Sequence, residues 1–325
     1  MNSARPTFYR TRQADGGARV FCAVLAYDEI FARTVSLTTR SKAIEIERLR
    51  GHRREKAGDT VAVEEPLELR VGAGPAGQRT EAVVSITMRT PGHDDELAAG
   101  FLFGEGLITG ASQILKIWHR SPPAPDSELH NVLRVDLQHD VDFDLAGLER
   151  HFYATSSCGV CGKGSIEALA FTSRFADDTR EQRFALKHDS LFGLPAALRA
   201  QQDVFEHTGG LHAAGLFNAA GEVTLIREDV GRHNALDKLV GRLLLDDRLP
   251  LHDHGIVVSG RSSFELVQKT LMTGCPMLAA IGAPSSLAVE LAREHGLTLV
   301  GFLGENRGNI YTRGDRVIEG QEGQT

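Results

Sequence analysis

The segment Ser156-Ser157-Cys158-Gly159-Val160-Cys161-Gly162-Lys163-Gly164 sets two thiols three residues apart among small side chains. Glycine lets the backbone around both sulfurs take conformations that other residues avoid, and Lys163 adds a positive charge that favours the thiolate. Such a pair reads as a mobile, nucleophilic dithiol. Two other chemistries use the same spacing. Half of a zinc site needs further ligands, and the remaining cysteines, Cys22 and Cys275, form no second pair. A thioredoxin-like redox pair follows a strand and opens a helix, whereas this one follows His151-Phe152-Tyr153 and is embedded in serine and glycine. Sulfur chemistry is therefore placed ahead of metal binding, and no metal is expected.

A second concentration of unusual residues lies further along. Ser259-Gly260-Arg261-Ser262-Ser263, Gly282-Ala283-Pro284-Ser285-Ser286 and Gly304-Glu305-Asn306-Arg307-Gly308 each follow an apolar run. The first two join small side chains and free N–H groups to a helix start, an arrangement that binds phosphate, and Arg261 and Arg307 add forked donors. Read singly, such serines are caps and such glycines are turns; Ser262 and Glu265 have the spacing of a capping box. Three such loops on one sheet edge point instead to a large anionic ligand, such as a nucleotide-bearing cofactor. The P-loop pattern G-x-x-x-x-G-K-[ST] is absent, which disfavours ordinary nucleotide hydrolysis. Two polar clusters remain, Thr208-Gly209-Gly210-Leu211-His212 and Arg227 to Asn234. In the second, His233 keeps company with Arg232, Asp237 and Lys238, and a functional surface is preferred to a salt-bridged brace.

The elements that must carry these residues read as a mixed α/β (α+β) chain. From about Ala43 to Leu148 the pattern is a small α+β unit: strand-like alternation at 61–71 and 82–89 around the turn 72–77, a helix from Asp94 to Leu107 with Leu97, Phe101 and Leu102 buried, and a strand at 131–137. The second half alternates more regularly. A hairpin at 211–217 and 222–228 precedes a helix starting near Arg232 or His233. Strands at 255–259, 276–281 and 297–303 then interleave with helices at 263–272 and 285–294, which implies parallel pairing.

Composition narrows the function classes. A net charge of -7 argues against nucleic acid as the main partner. The apolar run 20–27 is too short to span a membrane, and no export signal is read, so a cytoplasmic protein without membrane attachment is expected. Four cysteines without a disulfide-like pattern suit a reducing compartment.

Six motifs in one order resemble the formate dehydrogenase accessory sulfurtransferase family, FdhD. They are TPGHDDELAAGFL at 90–102, SSCGVCG at 156–162, TGGLHA at 208–213, EDVGRHNALDK at 228–238, SGRSSFEL at 259–266 and TLVGF at 298–302. The resemblance runs from about Ser36 almost to the C-terminus. It implies an irregular extension at 1–35, a small α+β domain at 36–150, the CxxC loop region at 151–172 and a three-layer, cytidine-deaminase-like domain at 173–325. The deaminase zinc signature is absent, so deamination does not carry over.

The implied activity is sulfur transfer. Cys158 is the implied persulfide carrier and Cys161 its relay partner, taking sulfur from a cysteine desulfurase. The acceptor is the molybdenum or tungsten bis-molybdopterin guanine dinucleotide, sulfurated before its insertion into formate dehydrogenase. The other reading is a non-catalytic chaperone of that cofactor, which would not require the dithiol. Phe302, Leu303, Gly304, Glu305, Asn306, Arg307, Ser259, Gly260, Arg261, Ser285, His212, Arg232 and His233 are the implied cofactor-binding residues, with GDP as a mimic and a homodimer as the implied assembly. The family places an arginine soon after Gly301-Phe302; here the first is Arg307, which is expected to substitute for it.

Overall fold

The computed structural model describes residues 37–120, 130–141 and 184–319. The N-terminal extension, the loop 121–125 and the dithiol segment with Cys158 and Cys161 lie outside the described residues. After one helical turn at Leu37–Arg40, strands β1 (Ser41–Arg50) and β2 (Arg53–Ala62) pair as a long antiparallel ribbon. Sequence reading has no strand here, because the ribbon is mostly charged and its apolar alternation is limited to residues such as Ile44 and Ile46. Val61 closes this ribbon instead of opening the next strand.

β3 (Glu65–Ala73), β4 (Thr80–Arg89), β5 (Ile114–His119) and β6 (Val132–Leu137) form a sheet of order β4-β3-β6-β5. Leu67, Leu69 and Val71 on β3 and Leu133, Val135 and Leu137 on β6 alternate into the core, as the two-residue strand period requires. Helix α1 (Asp94–Gly104) packs on them. It stops three residues before the expected Leu107 because Gly106 takes the left-handed conformation and the Leu107 N–H donates to the Leu102 carbonyl. The helix is buried nearly all round, with Phe101 only half-buried; a one-sided apolar stripe is not what positions it.

The second sheet has six strands: β8 (His212–Asn218), β9 (Val223–Asp229), β10 (His254–Val258), β11 (Met277–Ala280), β12 (Thr298–Gly304) and β13 (Arg307–Thr312), in the order β13-β12-β11-β10-β8-β9. β10, β11 and β12 are parallel neighbours, as the alternation implies, and the two flanking pairs are antiparallel. Ile256, Val258, Leu278, Ala280 and Leu299 share one core with α4 (Arg232–Leu245), α5 (Phe264–Met272) and α6 (Ser286–Glu294). Val257, Met277, Ala279 and Val300 meet α2 (His188–Arg199) on the other face. Helix, sheet and helix make three layers. A short helix, α3 (Asp203–Thr208), follows α2. Both α2 and α3 escape the sequence pattern, α2 because Gly193 and Pro195 within it read as helix breakers. The pair β7 (Leu186–Lys187) and β14 (Val317–Ile318) ties the last strand back to the start of this half. No helix among the described residues is long and apolar enough to cross a membrane.

One apolar core runs through both sheets, from Leu67 on β3 to Leu299 on β12. Its seam is the crossing of α1 and α4, where a Cβ at Gly100 would lie 1.9 Å from the Asp237 carbonyl oxygen and one at Gly241 1.8 Å from that of Glu96. Buried ion pairs reinforce the seam. Lys238 meets Asp229 at 2.6 Å, both fully buried, and donates to the Thr90 carbonyl at 2.8 Å. The Arg227 guanidinium forks onto the Glu96 carboxylate, with one contact of 2.7 Å.

Burial alone would raise the pKa of Glu96, but the hydrogen bonds from Arg227 and His93 outweigh it and bring it down to about 2. A folded pKa below the unfolded one contributes stability that is complete above about 4.5 and is lost as pH falls toward 2. The shift corresponds to about 3 kcal/mol. Glu96→Gln is expected to remove this contribution, so that urea midpoints of the wild type and the variant, far apart at pH 7, converge near pH 2. A constant gap at all pH values would refute the pairing.

Candidate functional site

The hydrogen-bond ladder of the second sheet continues past the strand ends. Ile281 N–H donates to the Val258 carbonyl at 3.1 Å, Gly282 N–H to Gly260 at 3.0 Å and Phe302 N–H to Gly282 at 3.0 Å. The three loops picked out by sequence thus stand side by side at one edge. Their N–H groups are not as free as expected: besides Gly282 and Phe302, Ser262 N–H is spent on the Ala283 carbonyl and Ser285 N–H on that of Ser262. The capping box does not form either. Ser263 is the residue before α5, Ser262 is fully buried in a bridge to Pro284, and Glu265 turns to His233. Ser285 caps α6 by accepting the Ala288 N–H at 3.3 Å, which is the plain reading of that serine.

Four predicted residues converge where β8 and β10 run side by side. The Ser259 hydroxyl accepts the Ala213 N–H at 2.9 Å and lies 3.5 Å from His212 Nδ1. A Cβ at Gly260 would stand in ordinary contact, 3.4 Å from the same ring nitrogen and 3.5 Å from Arg232 Cδ, which places Gly260 between the imidazole and the Arg232 side chain. Burial lowers the His212 pKa, and the charges of Arg232 and His233 lower it further, which keeps the ring neutral near pH 7. Arg232 Nε is buried and has no hydrogen-bond partner among the described residues. A neutral imidazole, a hydroxyl and an unsatisfied guanidinium N–H form a group able to bind and orient an anion. Arg261 is exposed beside it.

The cluster around His233 divides. Glu228 accepts the N–H groups of Val204 and Phe205 at the start of α3, at 3.1 and 2.9 Å. Asp229, Asn234 and Lys238 bond one another and the chain at Met88 and Thr90, and Asp237 pairs with Lys269 at 2.7 Å. His233 Nε2 is engaged by Glu265 at 2.9 Å and Ser263 at 3.2 Å, joining α4 to α5. For these residues the salt-bridged brace replaces the functional surface preferred from sequence. Periodicity could not reveal that, since their partners lie up to 148 positions away.

The run from Phe302 to Arg307 is a hairpin and not an open loop. Leu303 and Gly304 still belong to β12, Glu305 and Asn306 make a two-residue turn, and Arg307 begins β13 with its side chain against Gly304. Leu303 is buried in the core on the α2 face, so its expected role as a ligand contact gives way to packing. Phe302 is 48% exposed with φ +53°, a left-handed conformation uncommon for a bulky residue and one that recurs at binding sites. It lies two strand spacings from Gly260, roughly 10 Å.

Between α2, α3 and the start of β8 opens a cleft of about 570 Å³, lined by Arg199, Gln202, Phe205, Gly209, His212 and Ser259 among others. Arg199, Gln202 and Phe205 are absent from the sequence-based site because α2 and α3 were not legible. Cys275, by contrast, takes no part in any site: burial pushes its thiol up to about 12, and its Sγ faces the carbonyls of His254 and Met277 at 3.3 and 3.2 Å. It is an inert core thiol.

A family model described as the FdhD/NarQ family matches residues 62–318. The chain is 50% identical over 260 residues to a protein of Mycolicibacterium paratuberculosis named sulfur carrier protein FdhD, covering 80% of this chain and 92% of that one. A protein of the same name from Streptomyces avermitilis is 48% identical over 283 residues, covering 86% of this chain and 96% of its own length. A crystal structure of a proposed formate dehydrogenase accessory protein from Desulfotalea psychrophila superposes with a TM-score of 0.64 at 23% identity, over 86% of this chain and all of that one; it bears on the fold alone.

Proposed function

Because this chain belongs to the FdhD/NarQ family, we propose that it is a sulfur carrier serving formate dehydrogenase, with Cys158 as the thiol that holds the sulfur. In the loading step the Cys158 thiolate attacks the terminal sulfur of a persulfide on a cysteine desulfurase. The new bond is Cys158 Sγ to sulfur, the donor's sulfur–sulfur bond breaks, and the donor cysteine leaves as a thiolate. Cys161 assists the onward transfer. The acceptor is the bis-molybdopterin guanine dinucleotide of molybdenum or tungsten, held as substrate at the edge formed by His212, Arg232, Ser259 and Gly260.

The observation that carries this reading is that edge. It supplies a buried guanidinium N–H without a partner among the described residues and a neutral imidazole beside it, which together fit a phosphate-bearing ligand. Arg261 and the exposed Phe302 extend it along the strand ends. The test is mass spectrometry after incubation with a cysteine desulfurase and free cysteine. An adduct of about 32 Da on the peptide containing Cys158, removed by dithiothreitol, is the expected result. An unmodified dithiol under conditions in which the desulfurase turns over would leave only the chaperone reading.

A further inference from the structure

We propose that the ribbon of β1 and β2 is a docking arm whose basic tip seats against an acidic surface on the protein that receives the cofactor; this rests on the reading that the strand edge holds that cofactor for formate dehydrogenase. No residue of either strand, from Ser41 to Ala62, is buried, and the ribbon pairs with no third strand among the described residues. Two strands without a buried face add little stability to a fold, so packing gives no reason for the ribbon's length.

Its charges divide along that length. Below the tip the cross-strand pairs are matched: Glu47 faces Lys56 and Arg48 faces Glu55. The last pair before the turn at Gly51 and His52 sets Arg50 opposite Arg53, and like charges directly opposite destabilise a strand pair. Glu55 lies 3.9 Å from Arg50, but both are exposed and such a contact offsets little. From Arg48 to Lys56 the ribbon carries four arginines and a lysine against one glutamate, in a chain of net charge -7. Leu49, 67% exposed, lies among them opposite Arg54. A surface bearing carboxylates relieves the repulsion between Arg50 and Arg53, and an apolar spot beside them covers Leu49.

Position says which partner. Ala62, at the base, lies 3.5 Å from where a Cβ on Gly210 would stand; Gly210 lines the cleft, and α3 packs on the ribbon. Strands of ten residues carry the tip roughly 30 Å from that base. The arm thus starts beside the cofactor edge and reaches past any ligand held there, to the distance of a protein placed over it. The protein that must come to this edge is the one that takes the cofactor, whereas the sulfur donor has only to meet Cys158. Nucleic acid fits less well: Glu45, Glu47, Glu55 and Asp59 interleave the ribbon, and it has no aromatic residue on which a base could stack.

Association of the full chain with cofactor-free formate dehydrogenase, followed by biolayer interferometry at low and at high salt, tests the arm. Arg53→Glu is expected to slow association about tenfold at low salt, and the difference is expected to fade at high salt, where screening removes the steering. The substitution turns a like-charged pair into an opposite one, so the melting temperature is expected to equal or exceed that of wild type. Loading of Cys158 by a desulfurase is expected to be unchanged. Association equal to wild type at low salt, or a slowing that high salt does not diminish, overturns the arm. Impaired sulfur loading with intact dehydrogenase binding assigns the tip to the donor and overturns the recipient. Wild-type binding to a DNA duplex that Arg53→Glu abolishes, with the dehydrogenase unaffected, overturns the protein partner. A wild type that carries no sulfur but still associates through Arg53 removes the sulfur-carrier reading and leaves the arm standing.

Discussion

Cys158→Ala is expected to yield a folded chain that supports no formate dehydrogenase maturation. In the proposed relay Cys158 bears the persulfide, so its loss removes the covalent intermediate itself and the expected effect is a loss of the whole relay and not a fraction of it. No other cysteine with a known environment can replace it: Cys275 is sealed in the core with its thiol held protonated up to about pH 12. The surrounding serines and glycines offer little apolar surface for packing, so the melting temperature is expected to stay within about a degree of wild type, as for surface substitutions generally. The measurement is formate dehydrogenase activity in cells lacking the endogenous carrier and complemented with each variant, at matched expression. Cys161→Ala is expected to be impaired less, since it leaves the loading step intact. Full activity in the Cys158→Ala, Cys161→Ala double variant would sink the sulfur-carrier reading while leaving the cofactor-binding edge untouched.

The second large effect is on stability. Gly100→Ala or Gly241→Ala is expected to cost roughly 3 kcal/mol or more, because the added methyl meets backbone oxygen at 1.9 and 1.8 Å and neither neighbour can swing away as a side chain would. The helices must separate, and the same movement pulls the Glu96 carboxylate on α1 away from the Arg227 guanidinium and the Thr90 carbonyl away from Lys238. Breaking a buried pair in this way costs about as much again. Thermal unfolding reads the result directly, and Gly58→Ala, with open space around its Cβ, is the control expected to stay near wild type. Glycine variants at the crossing that melt with the control would show that α1 and α4 do not touch by their backbones.

The two glycines also illustrate what a linear pattern can and cannot carry. In sequence, Gly100 and Gly241 are helix-weakening residues in otherwise regular helices; in the fold each is the only residue type that admits the other's helix. The strand and helix order of the second half was legible because each element buries residues at its own period. Isoleucine, valine, leucine and alanine at 256–258, 278–280 and 299–300 declare parallel strands, and Leu236, Leu239, Val240, Leu243 and Leu244 declare α4. The dithiol, with its glycine mount, is read from sequence alone and lies outside the described residues. α2, α3 and β13 were not, since Pro195 breaks the helical pattern and the Glu305-Asn306 turn reads as loop. The identity of the polar residues around His233 was likewise plain in sequence, but their division was not. Burial and distance decided that Asp229, Asn234 and Lys238 brace the seam while His212, Arg232, Ser259 and Gly260 converge on one edge, because an ion pair's role depends on which distant groups the tertiary fold brings within hydrogen-bond reach and whether water is excluded from them.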